Sequence, residues 1–285
     1  MTTPTNTAAW LPSPKTSPLL IAPSPYPIPG RSDTILRTAY IAINPLEHKI
    51  QDHNPLLAGR PIIYPTILGA DCSGNIIAIG DKVTTRKVGD RVIANACGVQ
   101  LGQPELSAFQ LYVQIPDKST TIVPDGIRLE EAAVLPLACD TAAAGFSVVD
   151  RSGLSTEGLL RNSGGRDRGT LLVWGGSSSV GCCAIQMASA AGYEVFATAS
   201  KRNHGLCEAL GAAQVFDHSN PRVEDEIVAA LKGKTVVGVL DCISDDEKTL
   251  PACARILAKV EGKRKIAAVL TPAKTKYEGG VEVTR

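Results

Sequence analysis

The sequence predicts a two-part α/β protein, with a β-rich first half followed by a doubly wound parallel sheet. Short apolar segments separated by glycines recur between residues 34 and 113, which is typical of a small barrel-like domain. From Thr170 onward, apolar strands alternate with helical segments. That alternation is the pattern of a parallel sheet whose ligand lies at the carboxyl ends of the strands.

The composition indicates a globular protein without a strong charge. The chain has 285 residues, 44% of them hydrophobic, and 29 basic against 28 acidic side chains give a formal net charge of +1. A charge this close to zero gives no general attraction for nucleic acid or anionic lipid. We therefore expect a small molecule or another protein as the partner, and no nucleic acid or membrane.

The cysteines favour a reducing compartment. The eight cysteines are spread along the chain, with no Cys-x-x-Cys and no cysteine near a histidine at zinc-finger spacing. The first apolar run, residues 19–22, is flanked by prolines and too short for a secretory signal or a membrane span. We expect buried reduced thiols and a cytoplasmic protein.

The first half is expected to be extended at its start and then β-rich. Eight of the nineteen prolines fall in the first thirty residues, where they disfavour helix. The predicted strands are 35–43, 75–79, 91–94 and 109–113, and helical residues follow from 129 to 149. A polar, glycine-rich stretch comes next, so the predicted parts are 1–145, a connecting segment 146–169, and 170–285.

The second half is expected to hold five strands and four helices. The strands are 170–174, 194–199, 214–216, 236–240 and 265–270, and the helices are 181–191, 204–210, 223–231 and 245–257. The polar residues 271–285 are expected to add only a short extension. On this reading the sixth strand of a full doubly wound sheet is missing and strand 265–270 is an open edge.

The strongest chemical signal is the segment Trp174-Gly-Gly-Ser-Ser-Ser-Val-Gly181, between the first strand of the alternation and its first helix. Gly175 and Gly176 allow a tight turn, the serines offer hydroxyl and N–H groups to a pyrophosphate, and Gly181 lets the helix pack close to the strand. A glycine-serine turn without a ligand fits the same residues. The candidate cofactor-binding residues here are Gly176, Ser177, Ser178, Ser179, Val180 and Gly181.

The end of the second strand favours NADPH as the cofactor. Dinucleotide folds specific for NAD place an acidic residue there, whereas this chain has Ser200, Lys201, Arg202 and Asn203. A hydroxyl and two cations can bind the 2′-phosphate of NADPH, which a carboxylate would repel. The alternative is that Lys201 and Arg202 are the solvated start of a helix.

Several motifs together resemble one family, the zinc-independent medium-chain dehydrogenase/reductases. They are NPLEHK at 44–49, LGADCSG at 68–74, VGDRV at 88–92, AAVLPLA at 132–138, the glycine-serine turn, LGAA at 210–213 and VFDH at 215–218. The chain looks most like fungal enoyl-reductase-like members, including those that serve polyketide synthases. The resemblance implies a GroES-like catalytic domain followed by a Rossmann domain, with NADPH in the cleft between them.

The resemblance also implies that the chain binds no zinc. Zinc-dependent relatives have ligands where this chain has Asn44, Ala70 and Asp71, and the four cysteines of their structural zinc lobe are absent here. Without a Lewis acid, hydride addition to an activated C=C bond is favoured over carbonyl chemistry. An enoyl or quinone reductase is therefore expected, and its substrate is a small molecule or is bound to an acyl carrier.

Further site residues come from the resemblance by position. The segment Leu46, Glu47, His48 and Lys49 would lie beside the nicotinamide, with Glu47 where the family has aspartate, and Lys49 would polarise the substrate carbonyl or contact the cofactor. Thr141 and Leu270 would contact the nicotinamide end, and His218 would line the adenine site. Lys49 as an ordinary surface lysine and Thr141 as a helix threonine bonded to its own backbone remain alternatives.

Two hypotheses follow from the sequence. The first is an NADPH-dependent reductase, a monomer or weak oligomer, that works with a polyketide synthase. The second is a shortened, non-catalytic relative that binds NADPH or a partner chain. Cys182 and Cys183 open the helix after the turn, where a helix dipole can lower a thiol pKa, but packing is the role expected of them.

Overall fold

The chain forms two compact units, Met1–Leu137 and Ala138–Arg285. The structure is a computed structural model that describes residues 4–53, 61–149 and 168–285. The predicted division after residue 145 falls inside a helix, Pro136–Val149, because the alanine-rich segment stays helical to its end. Residues 146–149 of the predicted connecting segment are thus helical, and residues 150–167 lie outside the described residues.

The first unit is β-rich, as predicted. Its strands are β1 (Asn6–Leu11), β2 (Leu20–Ser24), β3 (Asp33–Ala42), β4 (Thr66–Ile67), β5 (Asp71–Ile79), β6 (Arg91–Asn95), β7 (Tyr112–Pro116) and β8 (Thr120–Ile122). Its helices are α1 (Pro45–His53), α2 (Gly98–Leu101) and α3 (Leu129–Ala132). Within the described residues, one sheet has the order β7-β3-β5-β6-β8 and the other β2-β1-β4. All of these neighbours pair antiparallel.

Two differences from the predicted strands have local causes. The proline-rich start is extended, as expected, and forms the β1–β2 pair. The fourth predicted strand begins later, at Tyr112, because Phe109 bonds across two other segments. Its N–H donates to the carbonyl of Leu68, and its carbonyl accepts from Ala9 N–H.

The second unit is the doubly wound sheet. Its strands are β9 (Thr170–Trp174), β10 (Glu194–Ala199), β11 (Gln214–Asp217), β12 (Val236–Asp241), β13 (Lys265–Ala268), β14 (Lys276–Tyr277) and β15 (Val281–Thr284). Its helices are α4 (Pro136–Val149), α5 (Ser179–Ala190), α6 (His204–Ala209), α7 (Val223–Ala230) and α8 (Thr249–Ala258). In the part of the chain that is described, the strand order is β11-β10-β9-β12-β13-β15-β14.

Alternate residues of the central strand pack on opposite faces of this sheet. Leu171 and Val173 join a core that includes Ile185 of α5, whereas Leu172 joins a core that includes Leu250 of α8. Side chains in a strand alternate with a period of two, so a strand buried on both faces reads as a continuous apolar run. The sequence of β9 shows that run, and the predicted fold class is confirmed.

The prediction that the sheet lacks its sixth strand is wrong. Strand β15 pairs parallel with β13, and β14 adds an antiparallel strand outside it. Val281 and Val283 are buried in the same core as Leu250, so β13 is not an open edge. The expectation missed the strand because residues 271–285 are polar overall, although the alternation Val-Glu-Val-Thr at 281–284 is the pattern of a half-buried strand.

Among the described residues, one apolar stretch, Leu129–Val149, is long and apolar enough to cross a membrane by length and composition alone. It comprises two successive helices, α3 and α4, and 44% of its 18-residue apolar window is buried in the fold. The core helix of a globular protein meets the same criteria, so this stretch is a weak indication of a membrane span.

The sixth strand makes a testable contribution to stability. Replacing Val283, 3% exposed, with Ala should lower the free energy of unfolding by about 1–3 kcal/mol, because buried apolar surface is removed. The exposed neighbour Thr284 gives a matched control, and Thr284→Ala should change it by less than about 0.5 kcal/mol. Urea unfolding measures both, and equal effects would contradict a buried sixth strand.

Candidate functional site

The turn between β9 and α5 is built on glycines that approach neighbouring backbone closely. A Cβ atom on Gly181 would lie 2.3 Å from the carbonyl oxygen of Gly175, and Gly175 itself has a φ of +80°. Gly175 N–H donates to the Thr198 hydroxyl at 3.0 Å, and Gly176 N–H donates to the Thr198 carbonyl at 2.8 Å. The turn is thereby fixed to β10, and helix α5 begins at the carboxyl end of β9.

The serines of this turn have distinct roles. Ser178 caps helix α5, since its Oγ accepts from Gly181 N–H at 3.0 Å. The Ser177 hydroxyl accepts from the side-chain amide of Asn203 at 3.2 Å. The turn and the segment after β10, two regions that the sequence selected separately, are therefore in contact. The first N–H groups of a helix have no partner within it, and here they face the turn where an anion would bind.

A polar cluster lies at the carboxyl ends of β10 and β11. These strands are parallel neighbours, with Ala199 opposite Asp217. Ser200 Oγ lies 3.2 Å from His218 Nε2 in a hydrogen bond, and Lys201 and Arg202 are exposed. Hydrogen bonds from Ser219, together with the charges of Lys201 and His218, lower the pKa of Asp217. The ends of these two strands thus carry the Asp217 carboxylate as well as the exposed cations Lys201 and Arg202.

The carboxyl ends of β12 and β13 are joined by polar residues that the sequence analysis passed over. The Ser244 hydroxyl accepts from the N–H groups of Val269 at 2.8 Å and Leu270 at 3.4 Å. Leu270, a predicted contact of the nicotinamide, directly follows this strand end. The feature of the sequence that could have indicated these polar residues is an aspartate, Asp241, at the end of an otherwise apolar strand.

Helix α1 of the first unit carries the predicted segment 46–49. Glu47 is 4% exposed, and its carboxylate accepts from Asn44 N–H at 2.6 Å and from Ala70 N–H at 2.9 Å. Burial raises its pKa, although these backbone bonds and that of its own N–H act in the opposite direction. Its carboxylate therefore ties the start of α1 to the turn before β5, which is a structural role the sequence did not predict.

The other predicted residues of α1 divide between the core and the surface. Leu46 packs against the cluster that contains Leu11 and Ile50. His48 is exposed and pairs with Asp52, with Nδ1 and Oδ2 3.0 Å apart, and Lys49 is half-buried. Thr141, half-buried on α4, belongs to the second unit. The roles of these residues toward a ligand stay predictions.

The thiols near the turn are packed. Cys139 and Cys183 lie with their Sγ atoms 3.6 Å apart, and hydrogen bonding with Cys139 followed by burial raises the pKa of Cys183. Burial also raises the pKa of Cys182. These directions oppose thiolate formation, which agrees with the packing role expected of both residues at the helix start.

Comparison with known proteins decides the family. The alcohol dehydrogenase GroES-like domain matches residues 30–125, and the zinc-binding dehydrogenase family matches residues 179–275. Dehydrogenase azaJ of Aspergillus niger is 37% identical over 282 residues, which cover 98% of this chain and 80% of that protein. The chain belongs to the medium-chain dehydrogenase/reductase family. It is an oxidoreductase of the enoyl-reductase-like group within that family.

Two more proteins place this dehydrogenase/reductase among its relatives. Trans-enoyl reductase himH of Aspergillus japonicus is 38% identical over 257 residues, which cover 90% of this chain and 72% of that protein. Mycobacterial Rv1454c, solved in complex with NADPH, has a TM-score of 0.70 and 22% identity over 98% of this chain and 81% of that one. The latter shows that the fold is shared.

The name of one matched domain, the zinc-binding dehydrogenase family, includes zinc. The residues of this dehydrogenase/reductase do not fit a zinc site. Where zinc-dependent relatives have ligands, Asn44 Nδ2 donates to Asp71 Oδ2 at 3.0 Å, and Ala70 has no ligating atom. The other Asp71 oxygen accepts from Leu137 N–H at 2.7 Å. Among the described residues, no group of three or more His, Cys, Asp or Glu is placed to hold a metal ion.

The glycine contacts predict a selective effect of one added methyl group. Gly181→Ala should destabilise the second unit by about 1–3 kcal/mol, because the new Cβ meets the backbone of Gly175 and Gly176. It should also weaken dinucleotide binding, since the turn must open to relieve the contact. Thermal unfolding and fluorescence titration with NADPH measure the two effects.

Gly205 on α6 is the matched control, since a Cβ there meets nothing within 4 Å. Gly205→Ala should leave binding unchanged and raise stability by up to about 1 kcal/mol through helix propensity. Unchanged stability and binding in Gly181→Ala would show that the close approach does not shape the turn.

Proposed function

We propose that the chain is an NADPH-dependent reductase that adds hydride to the activated C=C bond of an enoyl or quinone substrate without zinc. The observation that carries the cofactor choice is the cluster of Ser200, Lys201 and His218 at the ends of β10 and β11. In a doubly wound sheet the adenosine ribose lies beside the end of the second strand. The hydroxyl of Ser200 and the cation of Lys201 there suit a 2′-phosphate.

The glycine-serine turn fits the pyrophosphate of the same cofactor. A Cβ on Gly176 would collide with the side chain of Ala197, and one on Gly181 with the backbone of the turn itself, so both glycines keep the turn tight. The twelve-residue helix α5 begins directly after this turn. Helix N–H groups and the helix dipole favour an anion at this end. Asn203 would hold Ser177 in place through their hydrogen bond. The glycine-serine turn and the segment after β10 would then bind the cofactor as one surface.

The chemistry follows from the residues present. When bound, NADPH would supply a hydride to the carbon β to the substrate carbonyl and become NADP⁺, and a proton from water would complete the reduction at the α carbon. Negative charge then develops on the carbonyl oxygen, and Lys49 would donate a hydrogen bond to it, the role that a Lewis acid plays elsewhere. Thr141 would contact the nicotinamide end. With Asn44 bonded to Asp71, no step passes through a metal.

The substrate class is proposed from the relatives. A trans-enoyl reductase that is 38% identical supports an enoyl group, and we propose an acyl-carrier-bound intermediate of a polyketide synthase as its source. Quinones remain the second class, because they too are reduced by hydride addition to an activated double bond. The protein would work in the cytoplasm as a monomer or weak oligomer.

The cofactor assignment predicts a loss that is selective for the 2′-phosphate. Lys201→Ala should raise the dissociation constant for NADPH about 10- to 100-fold, the effect of one charge-assisted hydrogen bond. The constant for NADH should change less than about twofold. Both constants are measured by nicotinamide fluorescence on the purified protein.

The exposed lysine Lys232 at the end of α7 provides a control of equal charge. Lys232→Ala should alter neither constant, and Arg202→Ala tests the second predicted cation in the same assay. A parallel loss of NADPH and NADH affinity in Lys201→Ala, or tighter binding of NADH than NADPH by the unaltered protein, would remove the assignment.

The reaction is tested by NADPH consumption with panels of enoyl thioesters and quinones. Lys49→Ala should lower turnover at saturating NADPH at least tenfold, because charge on the carbonyl oxygen loses its donor, while NADPH affinity stays within about twofold. Lys118→Ala, a change of an exposed lysine in the same unit, should not affect turnover.

The outcomes separate the two functional hypotheses. Tight NADPH binding with no consumption of any substrate would favour a non-catalytic binding protein. Consumption that is equal in the unaltered protein and in Lys49→Ala would support the reductase but remove Lys49 from the mechanism.

A further inference from the structure

Ser244 adopts a backbone conformation that serine rarely takes. Its φ is +57°, in the left-handed region that is strained for residues with a side chain and readily adopted by glycine. The residue is 7% exposed. A buried serine in a conformation suited to glycine suggests that its hydroxyl group has a use that outweighs the strain.

The hydroxyl joins the carboxyl ends of two neighbouring parallel strands. Ser244 Oγ donates to the carbonyl of Asp241 at 3.0 Å, at the end of β12. It also accepts from the N–H groups of Val269 and Leu270, just beyond β13. A glycine at position 244 would relieve the backbone strain but would remove the hydroxyl from all three groups, leaving the N–H of Val269 only its longer bond to the Asp241 carbonyl, at 3.3 Å.

The turn that carries Ser244 is held from below by a buried carboxylate. Asp241 is fully buried and accepts from the N–H groups of Ile243 and Ser244 at 2.9 and 3.0 Å. Its second oxygen accepts from the Thr249 hydroxyl at 2.5 Å. Each arm of the turn is therefore fixed, and its shape does not depend on a bound ligand.

This turn lies directly beside the glycine-serine turn. Cys242 N–H donates to the carbonyl of Trp174 at 2.9 Å. The side chain of Ile243 covers Gly175, since a Cβ there would be 2.8 Å from Ile243 Cδ1. Although its neighbours are buried, Ile243 is 45% exposed, so an apolar side chain is presented at the carboxyl edge of the sheet.

The strand order assigns this edge to one half of the cofactor. In the order β11-β10-β9-β12-β13, the 2′-phosphate cluster lies on β10 and β11 and the pyrophosphate turn lies on β9. A dinucleotide that crosses the edge must therefore place its nicotinamide half over β12 and β13. The surface found there is Ile243 and the Val269–Leu270 segment, which Ser244 connects.

We propose that Ser244 is a positioning residue for the nicotinamide half of NADPH. It holds the ends of β12 and β13 in one fixed arrangement, so that the reactive ring rests on a preformed surface. The inference rests on the proposed function, because it takes NADPH as the ligand. The proposed function concerns NADPH as a whole, whereas the role of Ser244 concerns only the half that carries the nicotinamide.

The test uses Ser244→Gly and Ser244→Ala with two ligands. One ligand is NADPH, and the other is 2′-phospho-ADP-ribose, the fragment that lacks nicotinamide. Both variants should raise the dissociation constant for NADPH about tenfold, the effect of losing a buried hydrogen-bond partner, and leave that for the fragment within about twofold. Both variants lose the same hydroxyl, but only Ser244→Gly also relieves the backbone strain, so its thermal unfolding midpoint should be the higher of the two.

Lys15→Gly is the control for relief of strain alone, since Lys15 also has a positive φ, of 62°, but lies in the other unit. It should change neither dissociation constant. Equal losses for NADPH and the fragment, or an NADPH constant unchanged in Ser244→Gly, would overturn the positioning role. An unaltered protein that binds neither ligand would overturn the proposed function itself, and this inference with it.

Discussion

The close approach of helix α5 to strand β9 is the constraint on which the rest of the candidate site depends. Gly181 touches the carbonyl of Gly175 so closely that no side chain fits between them. Because the helix begins there, its N–H groups converge on one point above the sheet. The segments after β10 and β12 are both bonded to the same turn, so their side chains are placed relative to that point as well.

Buried carboxylates hold the other turns of the two units. Glu47 joins the start of α1 to Ala70, and Asp71 holds Asn44 and the N–H of Leu137. Asp241 fixes the end of β12. In Glu47 and Asp241, burial raises the pKa, which means that the charged form is disfavoured although backbone N–H groups stabilise it. Buried carboxylates of this kind fix the conformation of loops that the hydrogen bonds of helices and strands do not hold.

The sequence was sufficient for the alternation of strands β9 to β13 with helices α5 to α8, and for the two segments that meet at the glycine-serine turn. Those features depend on local pattern: an apolar run, glycines at a turn, a missing carboxylate after β10. The role of Glu47 was not predictable, because its partner Ala70 is brought to it only by the tertiary fold. Ser244 was missed for the same reason, since its hydroxyl binds residues of another strand. The sixth strand was missed because a polar composition outweighed its short alternation.

Two strand pairings of the large sheet differ in how far apart their paired residues lie in sequence. Strand β9 pairs with β12 across helices α5, α6 and α7, whereas β15 follows β13 after a short connection. Closing a longer loop costs more entropy, although the increase is slow, and units with few neighbours open at lower free energy. The pairing of β15 with β13 closes a much shorter loop than the pairing of β9 with β12. Of the two pairings, the one that carries the glycine-serine turn therefore costs more entropy to form.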